Sequence, residues 1–129
     1  MQRIEHIAIW TKDLEKMRAF YLEFFELSSN EKYYNPKKKF SSYFLSFKEG
    51  ARIELMHSPL LNEILEHSEI NLGLTHFAIS VGSKENVDFL TEKVRKGGYK
   101  VAGEPRFTGD GYYESVITDP DGNTIEITI

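Results

Sequence analysis

The sequence predicts an α+β fold of two βαβββ modules in tandem, and three observations carry that reading. The first is a repeat. Ile4-Glu5-His6-Ile7-Ala8-Ile9 lies over Leu74-Thr75-His76-Phe77-Ala78-Ile79 at an offset of 70 residues. The second is a further match, Gly50-Ala51-Arg52-Ile53-Glu54-Leu55 over Gly122-Asn123-Thr124-Ile125-Glu126-Ile127, at an offset of 72. The second copy therefore carries a net insertion of two residues between the matches. The third is a pair of apolar stripes. Met17, Phe20 and Phe24 fall on Val87, Leu90 and Val94, and both sets keep the i, i+3, i+7 spacing of an amphipathic helix.

The elements follow in order. A strand over about 3–10 leads to a helix over about 14–26, opened by Asp13 as N-cap, and then to strands over about 28–34, 41–48 and 51–57. The second module repeats this with a strand over about 73–81, a helix over about 84–97 capped by Ser83, and strands over about 99–106, 112–118 and 123–129. Lys48-Glu49-Gly50 and Pro120-Asp121-Gly122 are the matching turns before the last strands. The modules, about 3–57 and 73–129, join through a linker over about 58–72, in which Pro59 to Leu65 suits a short helix. The whole is expected to be one domain, 1–129.

Composition bounds the function. The chain has no Cys, which excludes disulfides, thiolate ligands and a cysteine nucleophile. Its net charge of −4 gives no nucleic-acid footprint, and Lys37-Lys38-Lys39 reads as a solvated loop. Met1-Gln2-Arg3 leads straight into a strand, and no apolar run is long enough for a bilayer. A cytoplasmic protein with no membrane partner is the expectation.

Strand alternation then sorts the polar residues. Ile4, His6, Ala8 and Trp10 share one face of the first strand, while Glu5, Ile7 and Ile9 share the other, where Ile7 and Ile9 suit packing under a helix. Leu74, His76, Ala78 and Ser80 share the equivalent face of the fifth. In the fourth and eighth strands, Glu54 and Glu126 oppose the apolar pairs Ile53/Leu55 and Ile125/Ile127. A lone histidine in a strand is usually a core or surface residue, and a lone Glu usually meets solvent. Here two of the four histidines occupy equivalent repeat positions, each followed by an equivalent Glu 48 or 50 residues later. If the mixed sheets curl into troughs that join as a cleft, His6, Glu54, His76 and Glu126 meet there. Such a nitrogen and oxygen donor set suits one divalent transition metal per site (Ni, Co, Zn, Mn or Fe). It does not suit Ca or Mg, which prefer oxygen ligands alone. His57 points away from Glu54 and His67 lies in the polar linker, so both read as surface residues.

On these residues, and on Asp119-Pro120-Asp121-Gly122-Asn123, the chain resembles the vicinal oxygen chelate superfamily along its whole length, and within it the glyoxalase I type. The resemblance implies metal ligation by His6, Glu54, His76 and Glu126. It implies a metal that stabilises an enediolate-type intermediate of a small carbonyl substrate, with Glu126 or Glu54 shuttling the proton as base. It departs from glyoxalase I where that enzyme grips glutathione. Trp10 stands where Arg is common, and Ser58 stands where Asn is common, which argues against lactoylglutathione lyase activity itself.

Alternation adds Arg52 and Met56 beside Glu54 as substrate-binding candidates, with Arg52 open either to a substrate anion or to a rim salt bridge. Of Tyr112 and Tyr113, one faces the trough and the other the helices. The leading function is a metal-dependent lyase or isomerase. Two other readings stay open: a transferase or dioxygenase of the same superfamily, and a metal-free binding protein of the bleomycin-resistance kind. A small-molecule substrate and a homodimer are the expected partners.

Overall fold

The computed structural model describes residues 1–63 and 73–129, and the chain divides into two compact units, Met1–Leu65 and Glu66–Ile129. Each is α+β, as the repeat predicts. The first contains β1 (His6–Trp10), α1 (Leu14–Phe24), β2 (Ser28–Ser29), β3 (Tyr33–Asn35), β4 (Phe40–Ser46), β5 (Arg52–His57) and a 3₁₀ helix at Pro59–Glu63. The second contains β6 (His76–Ser80), α2 (Lys84–Lys96), β7 (Val101–Phe107), β8 (Tyr113–Thr118) and β9 (Thr124–Thr128). Both sheets are mixed. The first runs β1-β5-β4-β2, with β3 also on β4, and the second runs β6-β9-β8-β7. In each, the first strand pairs in parallel with the last.

The helices begin where a side chain can accept an orphan backbone N–H. Asp13 accepts from the Lys16 N–H at 3.0 Å and Ser83 accepts from the Asn86 N–H at 3.2 Å. Their ends differ. Phe25 turns extended and stops α1, whereas α2 runs two residues further, 13 against 11. That extension accounts for the two-residue insertion in the repeat. The helix is capped at Gly97 and closed by Gly98, whose φ of +85° lets the Gly98 N–H reach the Arg95 carbonyl and the Tyr99 N–H reach the Val94 carbonyl.

Each helix packs its predicted stripe on its own sheet. Met17, Phe20, Val87 and Val94 are fully buried, and Ile53, Leu55, Ile125 and Ile127 meet them from the sheets. Burying one such side chain stabilises the fold by about 1.5–3 kcal/mol. Each helix is also tethered by a buried tyrosine. The Tyr43 hydroxyl donates to Glu15, which pairs with Lys32 at 2.6 Å. The Tyr113 hydroxyl donates to Asp88, which pairs with Lys84 at 3.1 Å.

The strand expected over about 28–34 is broken into β2 and β3. Asn30 causes the break: its side chain accepts the Phe44 N–H at 2.8 Å while its own N–H donates to the Phe44 carbonyl. One residue thus takes both backbone groups of Phe44. Edge strand β7 is irregular in another way, with register shifts between Val101 and Gly103 and between Gly103 and Arg106. Pro105, which has no N–H to donate, falls in the second shift.

The expected short helix appears as the 3₁₀ turn at Pro59–Glu63, and its remaining residues and His67 lie outside the described residues. Lys37 to Lys39 are exposed, as expected of a loop. Among the described residues, no helix is long and apolar enough to cross a membrane.

Candidate metal-binding residues

Alternation of burial places the histidines where the sequence put them. Along β1, His6, Ala8 and Trp10 are exposed while Ile7 and Ile9 are half-buried; β6 repeats this with His76, Ala78 and Ser80. Parallel register sets Ala8 beside Glu54 and Ala78 beside Glu126, so each Glu shares its sheet face with a histidine. The small alanine leaves room for the two side chains to lean together. In the first unit, His6 Nε2 stands 3.8 Å from Glu54 Oε1; in the second, His76 Nε2 stands 3.1 Å from Glu126 Oε1.

Two donors at right angles on one transition metal, each about 2.1 Å from it, sit about 3 Å apart. Both pairs come within small side-chain adjustments of that spacing, and neutral imidazole with carboxylate is a donor set that a divalent transition metal accepts. Each unit supplies two donors. Among the described residues no group of three or more His, Asp or Glu is gathered around a common point.

The substrate-binding candidates separate. Trp10 and Met56 are register partners on the Glu54 face, with Trp10 53% exposed. Arg52 lies on the same face, donating from Nε to Glu5 at 2.7 Å, with its guanidinium 4.1 Å from the Phe44 ring centre. This is the salt-bridge arrangement of the two open to Arg52. Tyr113 is the helix-facing tyrosine, buried with its hydroxyl on Asp88. Tyr112 is exposed in the turn before β8, where its N–H donates to Thr108 Oγ1. Ser58 is buried at the start of the 3₁₀ helix, where its Oγ accepts the Leu60 N–H.

His57 differs from the surface reading. It is half-buried, and its Nδ1 donates to the Thr11 carbonyl at 2.9 Å, tying the end of β5 to the loop after β1.

Three residues on these faces escaped the sequence reading. Phe44 pairs in register with Glu54, and its ring meets that of His6 edge-on at 5.4 Å. Glu5 lies 2.5 Å from His6 Nδ1, and Arg52 together with His6 holds its carboxyl down at about 2. Glu114, on β8, faces the same side as Glu126. Burial, followed by the Glu126 charge and a hydrogen bond with Glu126, pushes its carboxyl above the usual range. Alternation alone could have found Glu114, because it shares a face with Val116 and Thr118 against buried Tyr113, Ser115 and Ile117.

The fold is thus one α+β unit used twice, with a His–Glu pair on each sheet. The chain belongs to the glyoxalase/bleomycin resistance protein/dioxygenase superfamily, whose model matches residues 3–127. It is 31% identical over 129 residues to the uncharacterized protein YqjT of Bacillus subtilis (strain 168), covering 96% of each chain. Its fold is similar to a glyoxylase/bleomycin resistance protein/dioxygenase domain from Frankia (TM-score 0.84, 18% identity, 100% of this chain and 98% of that one). It is also similar to a mutant of glyoxalase I from Zea mays (TM-score 0.80, 26% identity), covering 98% of this chain and 44% of the maize one. The superfamily thus includes enzymes such as glyoxalase I.

Proposed function

We propose that this protein is a metal-dependent lyase or isomerase of the glyoxalase I type acting on a small carbonyl compound, with His6, Glu54, His76 and Glu126 holding one divalent transition metal. The observation that supports it most is that the same pair occurs twice. At repeat-equivalent positions, an imidazole Nε2 faces a carboxylate on the sheet face opposite its helix. Two solvated faces have no physical reason to keep that arrangement in duplicate. The reading needs both pairs around one ion, within one chain or between two chains of a homodimer.

The metal, when bound, supplies Lewis acidity that polarises a carbonyl and acidifies the neighbouring carbon. The chain supplies the rest. Glu54 or Glu126 takes the proton from that carbon and returns it to the adjacent one. Trp10 and Met56 offer an apolar wall, and Arg52 is already engaged by Glu5. Together they favour a flat or apolar carbonyl compound over a glutathione adduct.

The test is the metal content of protein purified without chelator or His-tag, beside a Glu126→Gln, His76→Ala double variant. About one transition metal per chain, lost in the variant, is the expected result. Failure of the native protein to bind Ni, Co, Mn or Zn on titration overturns the enzyme reading and leaves a metal-free binding module.

A further inference from the structure

We propose that Glu5 is a positioning residue that fixes His6 in the Nδ1–H tautomer, so that the first unit presents a ready metal donor before any metal arrives. A carboxylate can only accept a hydrogen bond. Glu5 Oε2 lies 2.5 Å from His6 Nδ1, so the ring proton of a neutral His6 belongs on Nδ1. That leaves the Nε2 lone pair free, and at 3.8 Å from Glu54 it is too distant to be a hydrogen-bond donor to that carboxylate. The clamp is itself clamped. Arg52 Nε holds the other Glu5 oxygen at 2.7 Å, and its guanidinium lies over Phe44, whose ring meets His6 edge-on. The imidazole is thereby held at Nδ1 and braced by a perpendicular contact with the Phe44 ring.

The second unit has none of these groups. Thr75 stands in place of Glu5, Thr124 in place of Arg52 and Val116 in place of Phe44. His76 Nε2 lies 3.1 Å from Glu126, within hydrogen-bond reach, so a neutral His76 places its proton on the nitrogen that a metal would need. The two units therefore differ in readiness. His6 offers its lone pair as it stands, whereas His76 must exchange a proton before it can bind. An outer carboxylate on a ligating histidine fixes its tautomer and raises its basicity, and losing one weakens metal binding about 10- to 100-fold.

The proposal rests on the metal-binding reading for its consequence but not for its tautomer, so two readouts separate the two. Long-range ¹⁵N–¹H spectra of the metal-free protein, recorded over a pH series, report each ring's protonation and tautomer directly. His6 is expected as Nδ1–H and His76 as Nε2–H, with His6 reverting to Nε2–H in Glu5→Ala. Titration with Ni alone is then expected to show binding weakened about 10- to 100-fold in Glu5→Ala. An unchanged His6 tautomer in Glu5→Ala overturns the proposal, and so does a changed tautomer with undiminished Ni affinity. If the wild type binds no metal, the proposed function fails while the spectra still decide the role of Glu5. Because Glu5 is exposed, Arg52→Gln is a gentler second variant that keeps the acceptor and loosens its hold. A smaller loss of the Nδ1–H form is expected there, and a complete one would overturn the assignment of the lock to Glu5.

Discussion

In the first unit the histidine is held by Glu5 at Nδ1 and by a perpendicular ring contact with Phe44. In the second, His76 leans on Glu126 and its neighbours at the equivalent places are Thr75, Thr124 and Val116. Underneath, the two units match. Both cap a helix with a short polar side chain, bury the same apolar stripe and end on a parallel strand pair carrying Glu. The difference teaches where a duplicated module is free to change. Buried positions are constrained by volume, since a lost methylene or a cavity costs stability at once. The open sheet face carries no such constraint, so the surroundings of each histidine can diverge while the scaffold stays.

The comparison can be broken most sharply at the two glutamates. If one is the base and the other only a ligand, Glu54→Gln and Glu126→Gln will not be equivalent. The base variant should lower kcat about 10²- to 10⁴-fold in a metal-loaded assay. Equal losses would mean that the halves share the chemistry symmetrically. Next come the core stripes. Phe20→Ala should cost about 3–5 kcal/mol and its counterpart Leu90→Ala about 2–5 kcal/mol, read from denaturant midpoints. Two separate unfolding transitions would show that the units melt independently. The caps should matter equally in both halves, with Asp13→Ala and Ser83→Ala each costing about 1 kcal/mol by thermal melting.

The smallest effect is a pH dependence at the helix tethers. Glu15 is held below its ordinary range by Lys32 and then by the Tyr43 hydroxyl, and Asp88 by the Tyr113 hydroxyl and then by Lys84. A depressed carboxylate stabilises the fold above its unfolded value, and that contribution disappears as the pH falls through the folded one. The wild-type advantage over Tyr43→Phe and Tyr113→Phe should therefore be full near neutrality and fade below pH 4.5 and 3.8 respectively. Because both carboxylates are exposed, the effect is small. An advantage that persists at pH 2 would assign it to packing.

Much of this was legible because it is periodic. The 3.6-residue stripe of Met17, Phe20 and Phe24 and the two-residue alternation around His6 and Glu54 are local patterns, and the repeat tied the halves together. What sequence could not reach depends on register. Phe44 meets His6 only because β4 pairs with β5 so that Phe44 lies beside Glu54. Glu5 reads as a residue of the helix-facing side until the strand is seen to begin at His6, which frees its side chain to reach Arg52 and the imidazole. The break at Asn30 depends on a side chain competing for backbone groups across the sheet. Tyr113 and Tyr112 could be told apart only once the start of β8 was fixed.

The irregular edge of the second sheet has a consequence for how the protein behaves in a crowd. A regular edge strand is an open invitation to a passing strand, which can add to it and start a fibre. Along β7 such a strand meets two breaks in register, a proline that cannot donate, and the Glu104 carboxylate already gripped by Arg95. The sheet is finished at that side. Straightening it, by Pro105→Val together with Glu104→Val, would turn a terminus into a template.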